Sequence, residues 1–275
     1  MNPEAGMSWE DAVQSLRERP EARALVEACY FDDPLLAAAE RYRASSEWAA
    51  VRKWIGLPPG KALDLGAGRG IAAYAFAKDG WTTTALEPDA SELVGAGAIR
   101  SLADAASLAI NITESWGEKL PYSAAHFDVV HCRQALHHAR DLKQLCAEIG
   151  RVLKPGGVLI ATREHVISRR EDLPIFLANH PLHKLYGGEN AYLLSEYLDA
   201  IRGAGIDITR CLNPRESDIN LHPETTGSVK RRIAGRFGLP DERWIPDFAL
   251  KFAGAISTAP GRIYTFVGRK RGARA

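Results

Sequence analysis

The chain has 275 residues, with 35 lysines and arginines against 34 aspartates and glutamates, and 46% of it is apolar. At roughly 100–200 residues per domain this length holds two domains or one elaborated domain. An ordinary apolar content with 25% charged residues excludes general disorder. A formal charge of +1 argues against a protein that coats phosphate backbones, and no run approaches the roughly 18–20 apolar residues that a bilayer crossing needs.

The opening residues show no basic stretch followed by an apolar one, so no secretory signal is expected there. Cys29, Cys132, Cys146 and Cys211 are scattered without CxxC spacing. They read as reduced thiols of a cytoplasmic protein, most of them packing residues. Residues 9–31 carry apolar positions at helical spacing, with Pro20 as a break or as the first turn of a second helix. Another helical stretch follows Asp33 and runs to the turn Pro58-Pro59-Gly60.

From Lys61 onward, short apolar runs alternate with helical stretches. Residues 62–65, 82–87, 107–111, 127–132 and 157–163 read as strands, and Asp89 is expected to open a helix. Between the last two strands Leu142, Leu145, Cys146, Ile149 and Val152 form one stripe of an amphipathic helix. Such alternation predicts an α/β fold with a doubly wound parallel sheet. Residues 166–188, with Pro174, Pro181, Gly187 and Gly188, read as an irregular insertion with short helices. A helix over 189–205 then stops at Gly203 or Gly205. Strands at 206–212 and 262–270 close the sheet, with helices at 224–236 and 241–256 between them.

The strongest local signal is Asp64-Leu65-Gly66-Ala67-Gly68-Arg69-Gly70, where a strand runs straight into alternating glycines and then a helix. Glycines there let the backbone approach a ligand and adopt conformations that a Cβ forbids, and the helix start adds oriented N–H groups. The dinucleotide fingerprint GxGxxG fails because Ile71 stands at its third glycine, and no P-loop GK[ST] follows. The loop also has a bland reading as a tight strand-to-helix turn. Glu87, followed by Pro88 and Asp89, ends the next strand, where a carboxylate accepts hydrogen bonds from both hydroxyls of a ribose.

Further on come Leu120-Pro121-Tyr122, Phe127-Asp128-Val129-Val130, Leu136-His137-His138 and Leu153-Lys154-Pro155-Gly156-Gly157, in that order. With the glycine loop, these elements make residues 60–163 resemble the class I S-adenosylmethionine-dependent methyltransferases that act on small molecules. The resemblance implies a seven-stranded Rossmann-like sheet of order 3-2-1-4-5-7-6, its last strand inserted antiparallel. It implies a methyltransferase domain over 58–275 with insertions at about 166–188 and 213–261, preceded by an N-terminal helical lid over 1–57.

S-adenosylmethionine is the cofactor implied, with S-adenosylhomocysteine as product. The resemblance puts Asp64, Gly66, Ala67, Gly68 and Gly70 around its methionine part and ribose, Glu87 with Pro88 at the ribose hydroxyls, and Arg133 near its carboxylate end. Where the family usually has an acid for the adenine, this chain has Trp116, flanked by Ser115 and Gly117. Either Trp116 stacks near adenine, or Glu114 replaces the acid, or backbone groups suffice.

Methyl transfer is an in-line displacement, so the protein mostly holds donor and acceptor close and collinear. A general base helps when the acceptor is a hydroxyl. His137 and His138 follow the fourth strand and His165 follows the fifth, so these are the candidate bases; each also has a packing reading, and His137 has a partner to hand in Asp141. Tyr42, Gln134, Glu164, His183 and Tyr186 are the candidate acceptor contacts, with Glu189 and His180 in the same insertion. No metal is expected, since the histidines form neither HExxH nor another recognisable ligand spacing.

The expected acceptor is a small or medium organic molecule, with oxygen favoured as the receiving atom. A membrane is not expected, nucleic acid is disfavoured because no NPPY-like element follows the fourth strand, and a homodimer is left open. Two alternatives stand: a NAD-type oxidoreductase, and a descendant of the same fold that binds S-adenosylmethionine without methylating.

Overall fold

A computed structural model describes residues 6–272. The first five residues of the expected lid and the last three residues of the chain lie outside the described residues. The N-terminal segment forms four helices: α1 (Trp9–Arg17), α2 (Arg23–Ala28), α3 (Leu35–Ala44) and α4 (Ser46–Ile55). Ser8 caps α1 by accepting the Asp11 N–H. Pro20 opens a single 3₁₀ turn that leads into α2. The stretch after Asp33, read as continuous, is broken at Ser45. Its extended backbone ends α3, and its Oγ accepts the Trp48 N–H at 3.1 Å to start α4.

The alternating region yields β1 (Lys61–Leu65), α5 (Ile71–Lys78), β2 (Thr82–Leu86), α6 (Ala96–Ala106), β3 (Ile110–Thr113), β4 (Phe127–Arg133), α7 (Leu142–Val152) and β5 (Leu153–Ile167). Two expectations are corrected here. Asp89 does not open a helix: its Oδ1 accepts the Ser91 N–H and its carbonyl accepts the Ala96 N–H, so residues 89–95 form a turn and α6 starts at Ala96. The third strand begins at Ile110 rather than 107, because Ser107 adopts the left-handed conformation that ends α6.

The rest of the chain forms α8 (Asp172–Asn179), α9 (His183–Tyr186), β6 (Tyr192–Leu193), α10 (Leu194–Gly203), β7 (Ile206–Leu212), α11 (Asp218–Leu221), α12 (Thr226–Arg236), α13 (Asp247–Ala255) and β8 (Arg262–Lys270). The sheet order is β3-β2-β1-β4-β5-β8-β7, with the two-residue β6 paired to the end of β5. Strands β1 to β5 are parallel, and β8 enters antiparallel between β5 and β7. Apart from β6 this is the expected order.

Strand residues alternate between two apolar layers. Leu63, Leu65, Val130, Cys132 and Leu159 face the layer of α7 and α10, where all five residues of the predicted stripe are buried. Ala62, Val129, Val158 and Ile160 face α3, α4 and α5. Burial on both faces explains why the central strands read as unbroken apolar runs. The basic run at 230–232 is paired, with Lys230, Arg231 and Arg232 bound to Asp247, Glu242 and Glu224. Beside it, Phe237, Trp244, Phe248 and Phe252 are exposed. No helix among the described residues is long and apolar enough to cross a membrane.

One irregularity in the sheet governs the site. Strand β5 has 15 residues, well beyond the expected 157–163. Its register with β8 shifts between Ala161 and Glu164, where Arg163 takes a φ of +61°. A bulge of this kind inserts an extra residue and re-aims the side chains beside it. Glu164 and His165 therefore lie within the strand, past the bulge, rather than in a loop.

Candidate active site

A cavity of about 790 Å³ lies at the carboxyl ends of β1, β2, β4 and β5, where an open α/β sheet takes ligands. One wall is the predicted loop. Gly66 has a φ of +69° and a Cβ on it would meet Ala135 at 2.8 Å, so the turn requires glycine. Gly68 has a φ of +53° and no atom within 4 Å of a built Cβ, which leaves its backbone open to the cavity it lines. Gly70 caps α5 behind the loop and does not line the cavity. Arg69, which the sequence reading passed over, is buried and donates to the carbonyls of Tyr30, Asp32 and Leu93. It ties the glycine loop to the segment after α2.

Asp64 Oδ1 accepts a bond from His131 Nδ1 at 2.8 Å, while its Oδ2 is buried with no partner among the described residues. Asp64 lines the cavity, as do Ala67, Glu87, Pro88, Trp116 and Gly117. Glu87 Oε2 accepts the Gly68 N–H at 2.7 Å and Oε1 accepts the Asp89 N–H at 3.0 Å. Burial pushes the Glu87 carboxyl up to about 7, against the lowering effect of those two N–H groups, and the nearby Asp89 and Asp64 push it the same way as burial. Trp116 is exposed, with the Arg140 guanidinium 4.7 Å from its ring centre. Glu114 pairs with Arg100, the Ser115 hydroxyl donates to the Trp116 carbonyl at 3.5 Å, and neither residue lines the cavity.

These features fit S-adenosylmethionine: an open glycine backbone, an unpartnered carboxylate oxygen for an ammonium group, and a carboxylate for two ribose hydroxyls. A ribose bound there would donate its hydroxyls to Glu87 only while that carboxyl is ionised. We therefore expect the thermal stabilisation given by S-adenosylhomocysteine to shrink as the pH falls from 8 to 6, and Glu87→Gln to flatten that profile. The free protein has the opposite sensitivity. A carboxyl raised in the fold favours the folded state below its unfolded value of about 4.3 and loses that contribution as the pH rises through about 7.

Arg133 lines the cavity but is already paired: Nε and Nη2 donate to the two oxygens of Glu47 at 2.8 and 3.2 Å. Glu47 is fully buried at the start of α4 and was not foreseen. Burial acts to raise its carboxyl, and the charges of Arg133 and Arg163 outweigh that and hold it low. Tyr42 is corrected as an acceptor contact. It is fully buried, does not line the cavity, and lies 5.7 Å beneath the Arg133 guanidinium. Gln134 lines the cavity beside Arg133.

The far wall carries an imidazole and carboxylate cluster. Glu164 is buried and does not line the cavity; it accepts the N–H groups of Ala135, Leu136 and His137, and the His137 ring at 2.8 Å. It is thus an organiser of the 135–137 turn rather than an acceptor contact. The expected partner of His137, Asp141, instead caps α7. The other nitrogen of His137 lies 3.4 Å from Glu189. Burial disfavours charge on His137, and hydrogen bonding to Glu164 and Glu189 outweighs it, raising the imidazole to about 9. His137 is therefore a proton donor in this cavity, not a free base.

His138 and His165 point their Nδ1 atoms at the carbonyls of Gly188 and Gly261, at 3.2 and 2.8 Å. A carbonyl only accepts, so each Nδ1 carries the proton and each Nε2 keeps its lone pair. Burial followed by the charge on His137 lowers His138 to about 4 and His165 to about 3. His138, His165, His180 and Tyr186 all line the cavity, and Tyr186 donates to Glu189 at 2.9 Å. His183 does not line it. Contrary to the expectation of no ligand set, His137, His165 and Glu189 each bring a ligand atom within 4.8 Å of the others.

The cavity roof comes from Trp9 of α1 and from Leu25, Cys29, Tyr30 and Phe31 at and after α2. The Trp9 ring packs on Tyr186 at 4.8 Å. Arg163, also unforeseen, lines the cavity with its Nη1 bound to the carbonyls of Ile219 and His222. The one sequence sign of it is a charge ending an apolar strand.

Residues 63–161 match the family model described as a methyltransferase domain. A ubiquinone biosynthesis O-methyltransferase of Paracidovorax citrulli is 31% identical over 164 residues, which are 56% of this chain and 68% of that protein. An uncharacterized methyltransferase of Bacillus subtilis, YcgJ, is 30% identical over 105 residues, 35% of this chain but only 38% of the relative's length. In fold, the chain is similar to a Haemonchus contortus phosphoethanolamine N-methyltransferase solved with S-adenosylhomocysteine. That match has a TM-score of 0.59 and 17% identity, and covers 97% of this chain and 61% of the other. Sequence, sheet order and the glycine-loop wall agree: the chain belongs to the class I S-adenosylmethionine-dependent methyltransferases.

Proposed function

We propose that this protein transfers a methyl group from S-adenosylmethionine to an oxygen of a small or medium organic acceptor. The observation that carries the reading is a single cavity with two chemically distinct walls, the glycine loop with Glu87 on one side and the histidine cluster on the other. The O-methyltransferase name of the Paracidovorax relative favours oxygen as the receiving atom.

When bound, S-adenosylmethionine supplies a methyl group already activated by its sulfonium. In this reading Glu87 accepts the ribose hydroxyls, Asp64 Oδ2 accepts from the ammonium group, and Trp116 borders the adenine with its apolar ring. Gln134 and Arg133 border the methionine end, with Arg133 kept in place by Glu47. The N-terminal segment acts as the lid in this reading, with Trp9 of α1 and with Tyr30 and Phe31 after α2, which line the cavity, excluding water. His137 donates a hydrogen bond, and His138 Nε2 takes the proton of the acceptor hydroxyl. Holding the two reactants in line contributes most of the rate, and the base adds roughly 10²–10⁴-fold.

The test is calorimetric titration with S-adenosylhomocysteine, with NAD as control, followed by incubation of S-adenosylmethionine with a panel of phenols, hydroxy acids and amines. Micromolar binding of S-adenosylhomocysteine alone, and a methylated phenol or hydroxy acid, are expected. Methylation of amines only would overturn the choice of oxygen. No transfer despite cofactor binding would favour the non-methylating reading. His138→Ala is expected to lower turnover by 10²-fold or more at saturating cofactor while leaving S-adenosylhomocysteine affinity unchanged.

A further inference from the structure

We propose that His137, His165 and Glu189 form a site for a divalent first-row transition metal ion, one that takes an acceptor offering two adjacent oxygens. The role of the ion toward the acceptor rests on the function proposed above, whereas the binding of the ion does not.

Three observations support the site. First, the fold gathers two imidazoles and a carboxylate from separate segments, the turn after β4, the end of β5 and the loop before β6, and buries all three. Two histidines and one carboxylate with open positions is a ligand set that suits divalent iron, manganese, cobalt or zinc.

Second, each imidazole is oriented as a metal ligand is. Such a histidine donates its second ring N–H to a carboxylate or a backbone carbonyl, which fixes the tautomer and aims the other nitrogen. His137 uses Nδ1 on Glu164, which three backbone N–H groups hold in place. His165 uses Nδ1 on the Gly261 carbonyl at 2.8 Å. Glu189 is itself oriented by the Tyr186 hydroxyl at 2.9 Å.

Third, size and charge agree. Bond lengths of about 2.0–2.2 Å place ligand atoms of one ion roughly 3.0–3.6 Å apart at octahedral or tetrahedral angles, and about 4.4 Å apart only directly across the ion. His137 Nε2 and Glu189 Oε2 are already 3.4 Å apart, and the three ligand atoms lie within 4.8 Å, so binding an ion draws the widest pair together by about 1 Å, within the reach of side-chain rotation. Glu164 and Glu189 together offer two negative charges, and a dication would take the place between His137 Nε2 and Glu189 that a proton holds in the free protein, that proton leaving to solvent as the ion binds. His138 Nε2 and His180 Nδ1, each 3.9 Å from a Glu189 oxygen, are further nitrogens beside the site.

All three groups line or border the acceptor half of the cavity, across from the glycine loop. An ion there leaves positions for acceptor oxygens, so the acceptors it fits are catechols, α-hydroxy acids and related chelating pairs rather than isolated alcohols. A bound cation also makes a coordinated hydroxyl easier to deprotonate.

The experiment uses untagged full-length protein stripped with a chelator. Co(II), Mn(II), Fe(II) and Zn(II) are each titrated by calorimetry, with the visible absorption of Co(II) as a second readout. Binding of one equivalent at micromolar or better affinity is expected for at least one ion. His165→Ala and Glu189→Gln should each weaken it by tenfold or more, while His126→Ala, at a half-buried position outside the cavity, should not. S-adenosylhomocysteine titration of every variant reports separately on the fold and on the cofactor reading. Loss of metal with that affinity kept supports the site. No stoichiometric ion, or an ion that His165→Ala and Glu189→Gln leave bound, overturns it. If metal binds but isolated phenols and catechols are methylated equally well, the acceptor class is overturned and the site stands.

Discussion

Glu87→Ala is expected to lower the affinity for S-adenosylhomocysteine by about 100-fold and leave the fold intact. Glu87 lines the cavity one residue past the end of β2, and its two oxygens suit two ribose hydroxyls. Hydrogen bonds to a charged group contribute about 1.5–3 kcal/mol each, so losing the pair amounts to 100-fold even after partial compensation by water. The fold survives because the carboxylate is itself disfavoured there, as burial pushes it up to about 7 in the free protein. Calorimetry measures the affinity and circular dichroism the fold. Unchanged affinity in a folded variant would remove Glu87 from the ribose.

Glu47→Ala is expected to destabilise the protein by about 3–5 kcal/mol, the range for breaking a buried ion pair from one side. Glu47 is fully buried, makes a two-point contact with Arg133, and is the counter-charge for Arg163. Its removal leaves the largely buried Arg133 guanidinium without its counter-ion and Arg163 with backbone carbonyl partners only. Denaturant unfolding should show the loss, and Glu47→Ala combined with Arg133→Met should recover part of it, because the double change leaves fewer unpaired charges. A single variant within 1 kcal/mol of the wild type would mean that water reaches the pair. The effect on the site would be indirect, since Arg133 borders the cavity only while Glu47 holds it.

The parts of this protein that read well from the sequence share one physical property: their determinants are contiguous. Central strands buried on both faces give unbroken apolar runs, and α7 shows a stripe at helical spacing, so both are visible in a short window. The glycine loop and Glu87 are also local, because the turn conformation and the strand end that place them lie in the same few residues. Misreadings fall where a single residue redirects the backbone. Ser45 splits a helix, Ser107 delays β3, and the Asp89 side chain builds a turn in place of a helix start.

The histidine cluster was visible only as names. His137, His138 and His165 stand at strand ends by sequence, yet their spacing says nothing about which nitrogen is protonated or which carboxylate each meets. That was decided by the bulge at Arg163, which aims Glu164 under the 135–137 turn and His165 at the Gly261 carbonyl. Glu47 looks like any solvated helix acid, and only the packing of α4 against the sheet buries it against Arg133. By itself the sequence determined the sheet, the glycine loop and the family, because those follow from local periodicity and turn chemistry. The tertiary structure alone decided the hydrogen-bond partners of the histidine wall, because those depend on contacts between segments that no short window brings together.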